Sequence, residues 1–246
     1  AIPEPYSIYN NIYKLLPGSI LSIKHQDIFK CNKINFHEHK SNNFFNYKRY
    51  WSLYDIATKS NNFDNISKNH ITDTLEKKLL DSIKIQSQAD VNLGVFLSSG
   101  VDSSLIASLM QSQSILPINT YTVGFDNESY NETTDSKKIA KFLGTNHHEI
   151  NVNSMDALNL VDKINDIYCE PFADSSQIPT YLLCQQVSKY TTVALGGDGG
   201  DELFGGYNRY LWIKKIWRII NFFPNPLRKV LSKFLLLINS KNYDFL

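Results

Sequence analysis

Strand-like and helix-like segments alternate along residues 66–195, and this alternation limits the fold more than any other feature of the chain. Short apolar runs predict strands at 93–97, 119–123, 149–152 and 192–195. Amphipathic stretches predict helices at 66–88, 103–111, 131–143, 154–168 and 177–189. Because helix-length segments separate successive strands, we expect an α/β fold, a parallel sheet with helices on both faces.

The first 58 residues have a different pattern, in which short apolar runs are separated by turn residues. Pro17-Gly18 is a strong turn signal, and the apolar run 20–23 follows it. This pattern predicts a short antiparallel β segment, and the polar run 59–65 predicts a linker. We therefore expect two domains, at 1–58 and 59–246. Because the chain starts at Ala1 rather than at a methionine, we expect it to be part of a longer protein.

Composition excludes several classes of protein. Apolar residues make up 42% of the 246 and charged residues 20%, which excludes bulk disorder. With 25 Lys and Arg against 24 Asp and Glu, the net charge of +1 gives no overall attraction to nucleic acid or to an anionic membrane. No apolar run reaches the roughly 18 residues that a membrane-spanning helix needs. Cys31, Cys169 and Cys184 lie far apart, which argues against zinc and disulfides and favours reduced thiols in the cytoplasm.

Past Tyr210 the sequence is helical and basic. Ile213, Ile216, Trp217 and Ile220 form an apolar stripe, which predicts a helix packed on the sheet with a solvated basic face. A role at a phosphate group or a membrane surface is the alternative.

The strand at 93–97 runs directly into a turn of small residues at 98–104, SSGVDSS, before the next helix. Loop amides followed by a helix N-terminus predict an anion site, and Ser98, Ser103 and Ser104 add hydroxyl donors for phosphate oxygens. Asp102 would repel a phosphate unless a cation such as Mg²⁺ lies between them. An ordinary capped helix without a ligand, with Asp102 or Ser103 as its N-cap, is the alternative.

The strand at 192–195 ends in a second such turn at 196–207, GGDGGDELFGGY. Six of the eleven glycines fall between 196 and 206, a density that lets the main chain approach a ligand closely. Asp198, Asp201 and Glu202 require a metal ion or an amine to balance their charge. Both turns follow strands of a parallel sheet, so they meet at the carboxyl edge where ligands bind. Two such turns on one edge make a ligand-free surface loop the weaker alternative.

These turns resemble the motifs of a known family. Residues 98–104 are similar to the Ser-Gly-Gly-x-Asp-Ser-Ser signature of the N-type ATP pyrophosphatases, with Ser99 in place of the first glycine. If that position requires a positive φ, a serine there would cost about 1 kcal/mol. Residues 121–125, 170–180 and 198–210 resemble stretches of the glutamine-hydrolysing asparagine synthetases, and residues 1–51 look like the last strands of that family's glutaminase domain. The resemblance covers nearly the whole chain and implies an adenine-nucleotide alpha-hydrolase-like fold.

The family resemblance implies a three-step synthesis of asparagine. Glutamine is hydrolysed to ammonia in the N-terminal domain, aspartate attacks the α-phosphate of ATP to give β-aspartyl-AMP and pyrophosphate, and ammonia then displaces AMP. Mg²⁺ and oriented amides are needed because negative charge builds on the phosphate as a carboxylate approaches. The resemblance therefore implies ATP and Mg²⁺ as cofactors, aspartate with glutamine or ammonia as substrates, and a cytoplasmic ligase that can be a homodimer.

The resemblance also implies roles for individual residues. Pyrophosphate would be held by Ser98, Gly100, Ser103 and Ser104. Mg²⁺ would be held by Asp102 and Asp201. Adenosine would contact Leu97, Val123, Gly196 and Gly197. The catalytic acids would be Asp198, at a position important for the aspartyl-AMP intermediate, and Asp201. The aspartate and ammonia side of the cleft would be shaped by Asp174, Ser175 and Pro179. Glu132 follows the second strand, where it would simply cap a helix.

Two features of the family have no match in these residues. The family's glutaminase nucleophile is an N-terminal cysteine, whereas this chain starts at Ala1. A catalytic lysine on a later helix has no counterpart, since Lys214 and Lys215 follow the glycine-rich turn too closely. We therefore expect this piece alone to be inactive. Two alternatives remain: a relative that activates another carboxylate, such as a β-lactam synthetase-like or polysaccharide-amidating enzyme, and a nucleotide-binding module without turnover.

Overall fold

The N-terminal part of the chain forms a two-stranded antiparallel sheet. The computed structural model describes residues 2–30, 41–59, 66–125 and 132–236. In it, β1 (Ser19–Ile23) pairs with β2 (Phe45–Arg49). A 3-10 helix at His25–Lys30 lies between the two strands in sequence, and α1 (Leu53–Thr58) follows them. The predicted antiparallel segment is confirmed. The domain division at residue 58 stays a prediction, and all but the first residue of the expected linker lies outside the described residues.

A second sheet of four parallel strands carries the rest of the chain. Its strands are β3 (Leu93–Phe96), β4 (Asn119–Phe125), β5 (Asn146–Val152) and β6 (Val193–Leu195). Their order across the sheet is β5-β4-β3-β6, so β3 has β4 on one side and β6 on the other. The chain builds the sheet from β3 to β5 and then returns to add β6 on the other side of β3, which makes the boundary between β3 and β6 a topological switch point. The carboxyl ends of strands at such a switch point open a crevice for ligands.

Helices cover both faces of this sheet. Those that precede β6 are α2 (Lys68–Gln86), α3 (Val101–Ser112), α4 (Thr133–Leu143), α5 (Ser154–Leu158), α6 (Ile164–Tyr168) and α7 (Gln177–Val187). Those that follow it are α8 (Gly200–Phe204), α9 (Asn208–Phe222) and α10 (Asn225–Leu236).

Two separate apolar cores hold α2, α3, α4 and α7 on the sheet. Val95 packs with residues of α2, α3 and α4 in one core, whereas Val123 and Val152 pack against α7 in the other. Val95 lies beside Thr120 in the sheet. Because side chains alternate along a strand, Thr120 and Val123 point to opposite faces. The predicted α/β fold is therefore confirmed.

The predicted helix at 154–168 is wrong as a single element. Asn153 caps α5 by accepting the N–H of Asp156 at 2.8 Å, but the helix ends at Leu158. A 3-10 turn at Val161–Lys163 then leads into α6. Leu160, only 7% exposed, belongs to the core beside α7. The continuous helical periodicity of the sequence did not reveal this break.

The strand predicted at 149–152 begins three residues earlier, because β5 pairs with β4 from Asn146 onwards. This places two neighbouring histidines on opposite faces of the sheet. His147 Nδ1 lies 3.0 Å from the Thr120 hydroxyl, and burial lowers the pKa of His147. His148 instead stacks on Tyr121, with ring centroids 5.1 Å apart. The two imidazoles therefore do not form a metal site together.

The apolar stripe of α9 does not pack on the sheet. Ile213, Ile216, Trp217 and Ile220 are all exposed, with Trp217 at 58%. The prediction of a packed helix is wrong for the described part of the chain. An amphipathic pattern identifies which face of a helix is apolar, but it does not identify what covers that face.

The N-terminal segment is tied to the loop that precedes α7. The Lys14 ammonium forms an ion pair with Glu170, and the Tyr9 hydroxyl donates to the main-chain carbonyl of Cys169 at 3.0 Å. The hydrogen bond from Lys14 holds the pKa of Glu170 below its usual 4.5, and the Ile8 N–H adds to the effect. The docking of residues 2–14 on this loop thus depends on an ionised carboxylate.

Neutralising Glu170 is expected to loosen this segment. Because the folded-state pKa is depressed, the contribution of Glu170 is complete above pH 4.5 and is lost as the pH falls through the folded value. We expect Glu170→Gln to lower the hydrogen-exchange protection of the Lys14 amide, which donates to Pro5 at 2.9 Å. Wild-type protection should decline towards that of the variant on acidification.

Glu149→Gln is the matched control, because it breaks an ion pair between Glu149 and Lys137 on another part of the fold. It should leave the exchange of the Lys14 amide unchanged. Equal protection of wild type and Glu170→Gln at pH 7 would contradict a docking role for Glu170.

Candidate functional site

A cavity of about 770 Å³ opens where β3, β4 and β6 end. This volume lies in the range that accommodates small ligands. The structure brings most of the predicted site residues to this cavity: Leu97, Ser98, Gly100, Asp102, Ser103, Val123, Pro179, Gly196, Gly197, Asp198 and Asp201. It does not bring Ser104, Asp174 or Ser175 to the lining. The two turns thus converge on one crevice, as their places after parallel strands predict.

Hydroxyl groups hold the first turn in shape. The Ser98 and Ser103 hydroxyl oxygens lie 2.7 Å apart, and the Ser98 hydroxyl accepts the Gly100 N–H at 3.1 Å. The Ser104 hydroxyl donates to the Gly100 carbonyl at 2.7 Å, which explains its absence from the cavity lining. Ser104 therefore supports the loop from behind, whereas Ser98 and Ser103 lie at its surface.

The helix after this turn presents an uncapped N-terminus to the cavity. α3 begins at Val101, two residues earlier than predicted, and its N-cap is Gly100, which makes no side-chain capping bond. The alternative with Asp102 or Ser103 as N-cap is therefore wrong. Without a capping side chain, the first-turn N–H groups remain able to bind an anion.

Ser99 adopts an ordinary backbone conformation. In the described part of the chain, only Asn11 and Cys169 combine a side chain with a positive φ, so Ser99 carries no strain of this kind. Both its main-chain N–H and its hydroxyl donate to Glu132 Oε2, each at 3.0 Å. Glu132 stands at the N-cap position of α4 but makes no capping bond with its side chain. Glu132 thus occupies the N-cap position as expected, but its side chain binds Ser99 of the first turn rather than the helix.

The second turn packs directly on the first. A Cβ on Gly197 would lie 2.9 Å from the Ser103 nitrogen and 3.1 Å from the carbonyl carbon of Asp102. Both of those atoms belong to the main chain at the start of α3. Only glycine allows the two loops to approach this closely, so Gly197 sets the distance between them.

The cavity carries a large excess of negative charge. Its lining includes Asp102, Glu132, Asp198 and Asp201, but no Lys, Arg or His among the described residues. Hard carboxylate oxygens of this kind are the ligands that Mg²⁺ prefers. No group of three or more potential metal ligands occurs among the described residues. A magnesium ion here would therefore take part of its coordination from water or from bound phosphates, as Mg²⁺ commonly does.

Glycines make room for two of these carboxylates. A Cβ on Gly200 would collide with the carboxylate of Asp102, and a Cβ on Gly206 would collide with that of Asp201. Gly199 and Gly205, with φ of +86° and +69°, form the turns on either side of α8. The glycines of the second turn therefore leave room for the carboxylates of Asp102 and Asp201 beside the cavity.

Glu202, the third acid of the second turn, does not belong to the cavity lining. Its carboxylate accepts the Tyr207 hydroxyl at 2.8 Å, and this bond lowers the pKa of Glu202. The Arg209 guanidinium lies 4.0 Å from the centre of the Tyr207 ring. Glu202 thus stabilises the turn between α8 and α9.

The apolar wall of the cavity includes residues that the sequence did not reveal. Phe96, Tyr121 and Leu183 line it together with Val123. Tyr121 is 1% exposed, and burial raises the pKa of its hydroxyl. Phe96 and Tyr121 are paired in the sheet and point to the same face as Val123. Strand alternation could therefore have identified them. Leu97 also lines the cavity, and its buried side chain belongs to the core with α3.

Of the three residues expected to shape the aspartate and ammonia side of the cleft, Asp174, Ser175 and Pro179, the structure brings only Pro179 to the cavity lining. Asp174 accepts both the N–H and the hydroxyl of Ser176 at 2.8 Å, and these bonds lower the pKa of Asp174. It therefore shapes the start of α7. One helical turn on, Pro179 reaches the cavity together with Thr180. Burial and the negative charge of Asp198 raise the pKa of the Cys184 thiol.

Comparison with known proteins identifies the family. A sequence model of the family described as Asparagine synthase matches residues 74–243, more than half of the chain. The chain belongs to the asparagine synthase family. The predicted family is thereby confirmed.

Among curated relatives, a putative asparagine synthetase [glutamine-hydrolyzing] 2 from Methanocaldococcus jannaschii is 34% identical over 241 residues, which are 98% of this chain and 41% of the relative. Asparagine synthetase [glutamine-hydrolyzing] 1 from Bacillus subtilis is 30% identical over 94% of this chain and 33% of the relative. This chain thus spans less than half the length of these relatives. Among solved structures, an NMN synthetase from Francisella tularensis is similar over 55% of this chain and 58% of that chain, with a TM-score of 0.39 and 20% identity.

No helix in the described ranges is both long and apolar enough to cross a membrane. This agrees with the absence of a long apolar run in the sequence.

Proposed function

We propose that this chain is the nucleotide-binding part of an ATP-dependent ligase that converts aspartate to asparagine through β-aspartyl-AMP. Nitrogen would come from glutamine, through ammonia, in the intact protein. The observation that carries the proposal is the close contact of Gly197 with the start of α3. A Cβ added at position 197 would lie 2.9 Å from the Ser103 nitrogen. This contact puts an anion-binding loop and two acids, Asp198 and Asp201, around one cavity.

The reaction would proceed by in-line displacement at phosphorus. A carboxylate oxygen of the substrate bonds to the α-phosphorus of ATP, the bond from that phosphorus to the bridging oxygen breaks, and pyrophosphate leaves. Ammonia then attacks the acyl carbon, AMP leaves with its bonding pair, and the amide nitrogen loses a proton. The uncapped N-terminus of α3 is suited to hold the departing pyrophosphate.

Asp102 and Asp201 are the residues best placed to hold Mg²⁺. Both line the cavity, and both lie against a glycine that leaves room for the carboxylate. When bound, Mg²⁺ would supply charge neutralisation for the phosphate oxygens. Asp198 would face the acyl phosphate side, and the apolar wall of Phe96, Tyr121 and Val123 would receive the adenine ring.

Exchange of labelled pyrophosphate into ATP tests this proposal. The intact protein should catalyse the exchange when aspartate and Mg²⁺ are present, because the first step is reversible and releases pyrophosphate. Omitting aspartate or chelating Mg²⁺ should abolish the exchange. An intact protein that binds ATP but never exchanges pyrophosphate would instead be a nucleotide-binding module without turnover.

The same assay distinguishes the carboxylate that is activated. Glutamate and β-amino acids should support little exchange if aspartate is the acceptor. Exchange that depends on a different carboxylate would favour a β-lactam synthetase-like or polysaccharide-amidating relative. This control matters because Asp174 and Ser175, expected to shape the acceptor side, do not line the cavity.

A further inference from the structure

Glu132 is an acid of the cavity that contacts the anion-binding loop through Ser99. Its Oε2 atom accepts two hydrogen bonds from Ser99, from the main-chain N–H and from the hydroxyl, both at 3.0 Å. The two residues are 33 positions apart in sequence and come from different crossovers of the sheet. Glu132 and the neighbours of Ser99, Ser98 and Gly100, line the same cavity.

A carboxylate in this position takes a donor that a phosphate oxygen would otherwise use. Main-chain N–H groups at the start of a helix attract any anion, and Glu132 is an anion supplied by the protein. A helix-capping role does not explain it, because its side chain makes no capping bond to α4. No Lys, Arg or His lines the cavity among the described residues, so no cation side chain there offsets its charge against an incoming phosphate.

Ser99 strengthens the contact. With glycine at this position, only the main-chain N–H would remain, whereas the serine hydroxyl adds a second donor to the same carboxylate oxygen. Hydrogen bonds to an ionised acceptor are among the stronger ones in proteins. The serine that departs from the loop signature therefore serves Glu132.

We propose that Glu132 competes with phosphate for the pyrophosphate loop. Its carboxylate occupies the Ser99 donors in the absence of nucleotide and is displaced when phosphates bind. It weakens the hold of the loop on pyrophosphate and so favours release of this product. This role rests on the proposed function, because it requires that the loop bind pyrophosphate. Glu132 acts through Ser99 and is a residue that tunes affinity.

Titration calorimetry with inorganic pyrophosphate, without metal and with a chelator present, tests the proposal on the intact protein. Glu132→Gln should bind about tenfold more tightly than wild type, because the neutral amide competes less well for the Ser99 donors. Ser99→Ala, which loses only the hydroxyl, should bind a few-fold more tightly. The double variant should bind like Glu132→Gln alone, since both changes act through one contact.

Asp135→Asn is the matched control. Asp135 lies in the first turn of α4, is exposed and pairs with Lys138 at 2.8 Å, so this variant removes one charge from the same helix terminus without touching Ser99. It should bind pyrophosphate like wild type. A tightening as large as that of Glu132→Gln would reduce the effect to overall charge and overturn the proposal.

Further outcomes separate the proposal from the function on which it rests. If Glu132→Gln binds pyrophosphate equally well or more weakly while wild type and Asp135→Asn bind it, Glu132 merely holds the loop and the proposed competition with phosphate is wrong. If neither wild type nor Glu132→Gln binds pyrophosphate, with or without Mg²⁺, both the role and the proposed function fail.

Discussion

Asp201→Asn is expected to reduce aspartate-dependent pyrophosphate exchange in the intact protein by about 100-fold or more, the cost typical of removing one group that stabilises developing charge. Asparagine has nearly the same shape as aspartate but no charge, so the fold should persist while affinity for Mg²⁺ falls. Asp201 lines the cavity and lies against Gly206, which has no side chain to displace it. The measurement is the exchange rate as a function of Mg²⁺ concentration.

Raising the Mg²⁺ concentration should recover part of the lost rate, because the defect is in binding the ion. Glu202→Gln is the matched control, one residue along the same helix. Its carboxylate binds the Tyr207 hydroxyl and does not line the cavity, so the exchange rate should change little. Equal losses in both variants would refute a specific role for Asp201 and point to general disruption of the second turn.

Gly197→Ala is expected to lower the free energy of unfolding by about 1–3 kcal/mol, the usual cost of forcing an extra group into a packed site. Its Cβ would lie 2.9 Å from the Ser103 nitrogen and 3.1 Å from two atoms of Asp102. Because the nitrogen and the Asp102 carbonyl carbon are main-chain atoms at the start of α3, no side-chain rotation relieves the contact. The two loops must separate, which should also weaken ATP binding.

Urea unfolding and ATP titration measure the two effects of this substitution. Gly196→Ala is the control, since its Cβ would come within 3 Å only of the terminal oxygen of Asp198, at 2.9 Å, and that flexible carboxylate can rotate away. Its stability should stay within about 0.5 kcal/mol of wild type. If Gly197→Ala is as stable as Gly196→Ala, the close packing of the two loops does not hold the site together.

Much of the cavity could be predicted from sequence because local patterns and topology agree. An apolar strand followed by a turn of small residues marks the end of β3 and of β6, and parallel strands place both turns at one edge. Ser98, Asp102, Gly197 and Asp201 accordingly lie together around the cavity. Phe96 and Tyr121 are paired in the sheet and face the cavity with Val123, so strand alternation also predicts them as lining residues.

The wrong predictions share a physical cause. The periodicity of a segment shows which of its faces is apolar but does not show which other segments pack against it. The helix is broken between α5 and α6, where Leu160 enters the core beside α7. The stripe of α9 has the pattern of a packed face but is exposed in the described part of the chain. Asp174 is close in sequence to Pro179, yet its carboxylate holds Ser176 at the start of α7 while Pro179 faces the cavity.

The sequence by itself determined the family resemblance, the parallel α/β architecture and the two turns that carry the chemistry, because each depends on residues close together in the chain. Only the tertiary structure decided how the turns fit each other and what Glu132 does. Gly197 meets the start of α3 at Ser103, 94 positions earlier in the chain, and Ser99 meets Glu132 across 33 positions. Contacts between distant segments depend on how the strands are ordered in the sheet, and no local pattern encodes that order.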